Sequence, residues 1–401
     1  MYSKYIVLPE KSAYSKVFSV KPEPITTLWF MLHEIVDPRR PQGRRHDLPT
    51  LLTLAILAIC CGQESYLAMH EWSVNYQEML STHVSFLAGH MPDAATFQRV
   101  FARLDKVSFE AVVGAWLQAV VPTEKGEGLA MDGKSLHGTG FHLVAAFSRV
   151  AKGVLFQMGT ETKGKELVVG PDVLRHVTIK DRVVTGDALF AQRGLCDQIV
   201  KGNGGYVIRA KGNQEKLEED IRVFFKDVPF GKQLQTYTET DRWKGQKEVR
   251  EVSVSSDSQL LFYLNWPGLT HVWQQTKTVT KKDAEGNPQT TTVVSVGIAC
   301  IPQGIRQEDI AQQVYAYIRG HWSIENRLHR QRDMVFHEDH ATIRRGNAPQ
   351  IMASTKNIVL SLFHRATVRS FTTAQRRFAA HPEELFAFLG LNQVQKAQIY
   401  A

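Results

Sequence analysis

Three acidic residues stand where acids can do chemistry. Asp132 follows the apolar run that opens "GLAMDGKSLHGTG", Asp187 ends the apolar run "RVVTGDA", and Glu325 lies in "HWSIENRLH", beside Trp322 and Ile324. An acid at the carboxyl end of a sheet strand is where open α/β sheets bind ligands. Two such acids can share hard cations through oxygen ligands, and a third carboxylate from a packed helix would complete the site. Each acid also has a plainer reading as a turn residue or salt-bridge partner, and Asp before Gly is a common turn signal. The strand-end position of two of them is what favours chemistry.

The elements that must position these acids are legible in outline. Residues 26–120 read as helical: "TTLWFMLHEIV" and "LPTLLTLAILAICC" have helical length, and Pro49 suits a first helical turn. In "PDAATFQRVFARLD", Asp93 is placed to cap a helix whose Phe97, Val100, Phe101 and Leu104 share one face. From residue 128 the texture changes to short β-type runs, "GLAMD", "FHLVAAFSRV" and "GVLFQMGTET". Helix and strand then alternate through "GKELVVGPDVLRHV", "RVVTGDA", "FAQRGLCDQIVKG" and "GYVIRAKGN", which indicates a mixed α/β sheet. Residues 215–300 break that rhythm with threonine- and valine-rich alternation and the turn signal "DAEGNP", as a separate β-rich insertion would. Helical pattern returns in "IAQQVYAYIRGHWSIENRLHRQRDMVF" and "APQIMASTKNIVLSLFHRAT".

Bulk properties narrow the function classes. The 401 residues exceed one compact core, and Lys and Arg outnumber Asp and Glu by 48 to 40, a net charge of +8. That excess suits a polyanion partner, nucleic acid first, although it also suits a solvated basic surface. Arg39, Arg40, Arg44 and Arg45 cluster in "DPRRPQGRRHD", readable as a solvated loop or as a phosphate-contacting arm. The four cysteines, Cys60, Cys61, Cys196 and Cys300, lack zinc-ligand spacing and read as buried reduced thiols. "LPTLLTLAILAICCG" is shorter than the roughly 20 residues that span a bilayer. The N-terminus lacks a signal-peptide pattern, so a cytoplasmic protein without a membrane partner is expected.

Taken in order, "DPRRPQGRRHDLPTLLTLAILAICCG", "MDGKSLHG", "FHLVAAF", "VVTGDALFAQ", "IRAKGNQ", "IRGHWSIENRLH" and "FHEDHATIRRGNAP" resemble a known family. It is the DDE transposases of bacterial insertion sequences, in the branch of the H-repeat-associated transposase-like proteins. The likeness runs from about residue 28 to 365. It implies an α/β fold: an RNase H-like mixed-sheet catalytic core with a β-rich insertion and an N-terminal helical domain. The implied segments are a tail over 1–25, a helical transposase-associated domain over 26–122 and the first part of the core over 123–214. The insertion follows over 215–303, the second part of the core with the glutamate helix over 304–370, and C-terminal helices over 371–401. Asp132, Asp187 and Glu325 would be the catalytic, metal-binding triad, holding two Mg2+ ions for which Mn2+ can substitute.

The implied partner is double-stranded DNA with terminal inverted repeats, bound by a homodimer, and the implied reaction is cleavage and strand transfer. Lys134 shares the face of Asp132 in a strand and would neutralise the site or meet phosphate. Lys211 and Asn213, at the end of the next strand, could steer DNA. His321, Glu325, His329 and Arg332 recur at helical spacing, either as a solvated stripe or with His321 and Arg332 as DNA contacts. Trp322 is expected in the core. Related insertion-sequence transposases carry Tyr, Arg, Glu and Lys spaced by two, three and six residues. Counted from Glu325, this chain has Ile318, His321 and Arg332 at the other places. Asp333, Glu338 and Asp339 also match the branch. Two other activities remain open: a decayed transposase that binds DNA without cutting, and a metal-dependent nuclease lacking strand transfer.

Overall fold

The computed structural model describes residues 25–83, 90–121, 124–136, 141–160, 165–243, 245–283, 286–302, 309–389 and 391. Residues 1–24 of the expected tail, the end of the first acidic motif (137–140) and nearly all of the last dozen residues lie outside them. Two compact units emerge. One comprises Met1–Val120, Ala151–Gly153 and Gln331–Ala401, the other Val121–Val150 and Val154–Arg330. The division cuts the 304–370 segment after Arg330.

The first unit is helical. It contains α1 (Ile25–Leu32), α2 (Leu48–Cys60), α3 (Tyr66–Asn75), α4 (Gln77–His83), α5 (Ala94–Arg103) and α6 (Lys106–Val120). α2 is buried along all 13 residues, which accounts for its apolar run without invoking a membrane. No helix among the described residues is long and apolar enough to cross one. Asp93 takes the N-cap position of α5 in extended backbone, but its side chain makes no capping bond.

The second unit is built on one nine-stranded sheet, ordered β3-β2-β1-β4-β5-β9-β8-β7-β6. Its first half carries β1 (Gly128–Leu136), β2 (Phe141–Ser148), β3 (Gly153–Thr160), α7 (Glu166–Arg175), β4 (Val183–Gly186), α8 (Arg193–Lys201) and β5 (Gly205–Ala210). β1 pairs antiparallel with β2 and parallel with β4, and β4 pairs parallel with β5. This is the mixed sheet of an RNase H-like core. Gly205 opens β5 because nothing larger fits: a Cβ there would sit 2.5 Å from Pro302 Cδ and closer still to the Cys300 carbonyl.

The segment that breaks the helix–strand rhythm forms α9 (Glu215–Lys226), β6 (Gln235–Trp243), β7 (Gln246–Ser255), α10 (Ser258–Leu264), β8 (His271–Lys282) and β9 (Pro288–Cys300). In space it continues the sheet, since β9 pairs antiparallel with β5. These strands have a positional role. Val183 and Val207 of the first half and Val252, Val254, Trp273 and Ala299 of the second form one apolar cluster with Ile310, Ala311, Val314, Tyr315 and Tyr317. Those last five lie on α11 (Ile310–Ile324), so the extended sheet is the floor on which the Glu325 helix rests. Beyond α11 the backbone widens into a π turn, Glu325–His329, before α12 (Arg330–Val335). In the helical unit α13 (Ala348–Arg365), α14 (Phe371–Ala380) and α15 (Pro382–Phe388) complete the chain. α13 is buried from 348 to 363 and packs on α2, α5 and α6.

Candidate metal centre

The parallel ladder sets the first two acids. Met131 pairs with Gly186, and Gly186 with Ile208. One residue further along each chain are Asp132, Asp187 and Arg209. Asp132 does not end its strand, as the apolar run suggested. β1 continues to Leu136 because its pairing with β2 outlasts its pairing with β4. Asp132 therefore emerges where β4 gives out, with Asp187 on the neighbouring strand. Asp187 begins a short 3-10 turn and caps it, Oδ1 accepting from the Leu189 N–H at 2.9 Å. Asp132 Oδ1 accepts from the Gly133 N–H at 2.8 Å.

α11 delivers the third acid by running along β1. The Tyr317 hydroxyl donates to the Gly126 carbonyl at 2.8 Å, and His321 Nδ1 lies 3.2 Å from the Thr185 hydroxyl on β4. One turn later Glu325 starts the π turn that also holds His329. His329 Nδ1 lies 3.6 Å from Asp132 Oδ2 and 3.4 Å from Glu325 Oε2. Ligand atoms of Asp132, Glu325 and His329 all fall within 4.8 Å of one another. Asp187 stands outside that group, its carboxylate engaged by its own turn.

The electrostatics are those of a site short of positive charge. Burial pushes the Asp132 carboxyl up, His329 pulls it back, and Asp187 and Glu325 repel its ionised form. Burial also pushes Asp187 up, against the Leu189 and Phe190 N–H groups, with Glu166 adding repulsion and Arg209 relieving it. Glu325, half-exposed, is held down chiefly by His329, whose Nδ1 lies 3.4 Å from its carboxylate, and further by Lys134. Burial lowers His321 to about 4, so it is neutral at neutral pH. Two carboxylates and an imidazole in this arrangement can hold a divalent metal ion.

The other residues singled out in the sequence divide. Lys134 acts electrostatically on Glu325 and thus belongs to the site. Lys211 is exposed, and Asn213 Nδ2 donates to the Ala188 carbonyl at 2.6 Å, bracing the turn that Asp187 starts. Arg332 is fully buried in the helical unit, its Nε donating to Glu338 Oε2 at 2.6 Å. The π turn breaks the phase of the expected stripe, and Glu338 holds the guanidinium. Trp322 is not in the core: it is 59% exposed, on the side of α11 turned from the sheet. In the arginine cluster, Arg39 is tied to Asp37 through Nε and Nη2 and to the His46 carbonyl at 2.6 Å. Arg44, itself exposed, donates to the Arg39 and Asp37 carbonyls, and Arg40 and Arg45 are exposed as well. All four cysteines are buried and free.

Sequence reading passed over three neighbours of the acids. His329 was visible as an i+4 partner of Glu325, but not as a ligand. Arg209 precedes Lys211 by two, yet only the strand register puts it beside Asp187. Glu166 gave no local signal; its Cγ would lie 3.2 Å from a Cβ at Gly133.

A family model described as "Transposase DDE domain" matches residues 121–362, well over half of the chain. This chain belongs to the DDE transposase family. The "DDE_Tnp_1-associated" model matches residues 29–117 of the same transposase. Among curated proteins the transposase is similar to "Putative transposase YncI" of Escherichia coli O157:H7, 28% identical over 341 residues, covering 82% of this chain and 85% of the relative. It is also similar to "H repeat-associated putative transposase YhhI" of Escherichia coli strain K12, 26% identical over 349 residues, 82% of this chain and 88% of the relative. The family supports a DNA substrate and divalent-metal dependence, matching the donor set at Asp132 and Glu325.

Proposed function

We propose that this transposase cleaves DNA at the ends of an insertion sequence and joins the freed ends to target DNA, with Mg2+ as the natural ion and Mn2+ as a substitute. The observation that carries this reading is the convergence of Asp132 and Glu325 at the end of the parallel ladder beside Asp187. Asp132, Asp187 and Glu325 would hold two ions, and the bound metal supplies positive charge that neutralises the phosphodiester and favours in-line displacement. The residues of the chain do the positioning. The Leu189 N–H fixes Asp187 in place, the β2 pairing fixes Asp132, and the apolar floor under α11 fixes Glu325. In each step a water or 3′-hydroxyl oxygen forms a bond to phosphorus as the bond to the leaving 3′-oxygen breaks, with no covalent protein intermediate. Lys134 and Arg209 offset the acids' charge and draw the DNA backbone toward them.

The helical unit would recognise terminal inverted repeats, with Arg40 and Arg45 as its exposed phosphate contacts. A homodimer would bring two ends together. The deciding experiment is cleavage of labelled DNA carrying the element's own ends, with magnesium or chelator, by wild type and Asp187→Ala. Magnesium-dependent nicks at the end boundary, absent in the variant, together with joined products, are expected. Nicks without joining would leave a plain nuclease. Binding without nicks in either metal would leave a DNA-binding relict.

A further inference from the structure

We propose that His329 is itself a metal ligand, so that the ion at Asp132 and Glu325 has two oxygen donors and one nitrogen donor, a set that lets Mn2+ substitute for the natural Mg2+ with the higher affinity of the two. The inference rests on the metal-site reading above and adds a ligand to it. His329 is 5% exposed, and its ring has one polar outlet. Nε2 is enclosed with no hydrogen-bond partner among the described residues, while Nδ1 faces Asp132 and Glu325 together. The two separations, 3.6 and 3.4 Å, exceed the normal N–H···O range of about 2.7–3.2 Å. They are near the spacing of donors on a common ion: bonds of about 2.1 Å at angles of about 90–120° put ligand atoms about 3.0–3.6 Å apart.

The backbone supports the same placement. Glu325 and His329 are the first and last residues of the π turn, and such turns recur at functional sites. The buried imidazole sits beside two acids, so one divalent ion would meet all three groups. Oxygen donors suit Mg2+ and Mn2+ alike, but imidazole suits transition metals, so the mixed set favours manganese. Asp187, held in its own turn outside the group, is left to the second ion, so the nitrogen is the third donor to this one.

The test is Mn2+ titration of the full chain followed by electron paramagnetic resonance, with nitrogen modulation of the bound-ion signal read by spin echo. The expected result is Mn2+ binding lost in Asp132→Asn, with nitrogen coupling in wild type that disappears in His329→Ala. Mn2+ affinity should fall at least about tenfold in His329→Ala. His329→Gln, which offers oxygen instead, should narrow the preference for Mn2+ over Mg2+. It also serves if the alanine variant fails to fold, since the coupling must then be absent from the glutamine variant. Asp132-dependent Mn2+ binding without nitrogen coupling, or coupling that survives in His329→Gln, overturns the His329 assignment and leaves the metal site standing. Binding that is absent in wild type, or indifferent to Asp132→Asn, overturns the metal-site reading and this inference with it.

Discussion

Asp132→Asn should uncouple stability from activity. The asparagine keeps an oxygen where Asp132 Oδ1 accepts from the Gly133 N–H at 2.8 Å, so the strand loses no hydrogen bond. What it loses is a buried charge whose ionised form is opposed by burial and by Asp187 and Glu325. The sign follows from the raised carboxyl. A group whose folded-state value lies above its unfolded one supports the fold at low pH, and that support is lost as pH rises through the folded value. At pH 7.5 the ionised Asp132 therefore costs stability, and its removal restores it. In chelator the variant should melt no lower than wild type. With divalent metal the order reverses. A ligand at about 100 times its dissociation constant stabilises by about 2.7 kcal/mol. For a unit of about 200 residues that is about 5–10 °C in Tm. Wild type should gain this shift, and Asp132→Asn none. Thermal denaturation followed by circular dichroism, with Mg2+, Mn2+ or chelator, reads both effects. A variant that melts well below wild type in chelator would refute the reasoning. It would mean that the Asp132–His329 ion pair stabilises the metal-free fold and that the acids are not held in mutual repulsion.

Three further outcomes are expected. Gly205→Ala should destabilise the sheet-bearing unit by about 3 kcal/mol, because the new methyl meets the Cys300 backbone and Pro302; an unchanged urea midpoint would show that the strand can shift aside. His271 is buried against Thr270 with its basicity lowered by burial, so it contributes stability above about pH 6.5 that is lost as pH falls through its folded value. Urea denaturation from pH 7.5 to 5 should be steeper in pH for wild type than for His271→Gln, and equal slopes would contradict this. Replacing Arg40 and Arg45 by alanine should reduce the salt dependence of DNA binding by about two in the log–log slope, whereas Arg39→Ala should lower stability by about 1–3 kcal/mol through its lost bonds to Asp37 and the His46 carbonyl. A reversed pattern in filter-binding and melting data would exchange their roles.

Much of the fold was legible because its signals are local. The helical periodicity of 94–103, the apolar run of α2 and the β-type runs from residue 128 onward each follow from neighbouring residues. The identities of Asp132, Asp187 and Glu325 as the residues to watch also came from local context, an acid after an apolar strand or within a patterned helix. Trp322 shows the limit of that method: its helix is amphipathic, but which flank meets the sheet was set by distant strands, and the tryptophan fell on the exposed flank. Arg332 shows it again, since a π turn shifted the phase of the helix and Glu338 captured the guanidinium.

The sequence by itself determined most element types, the basic balance and which acids follow apolar runs, because propensity, periodicity and charge are properties of short stretches. Tertiary structure decided which residues meet. Only the register of β1, β4 and β5 could align Asp132, Asp187 and Arg209, because the pairing joins residues far outside any local window, from Met131 to Gly186 and from Gly186 to Ile208. Only the widened turn on its apolar floor could bring His329 to Asp132, because that contact requires the helix to be seated on strands drawn from both halves of the sheet.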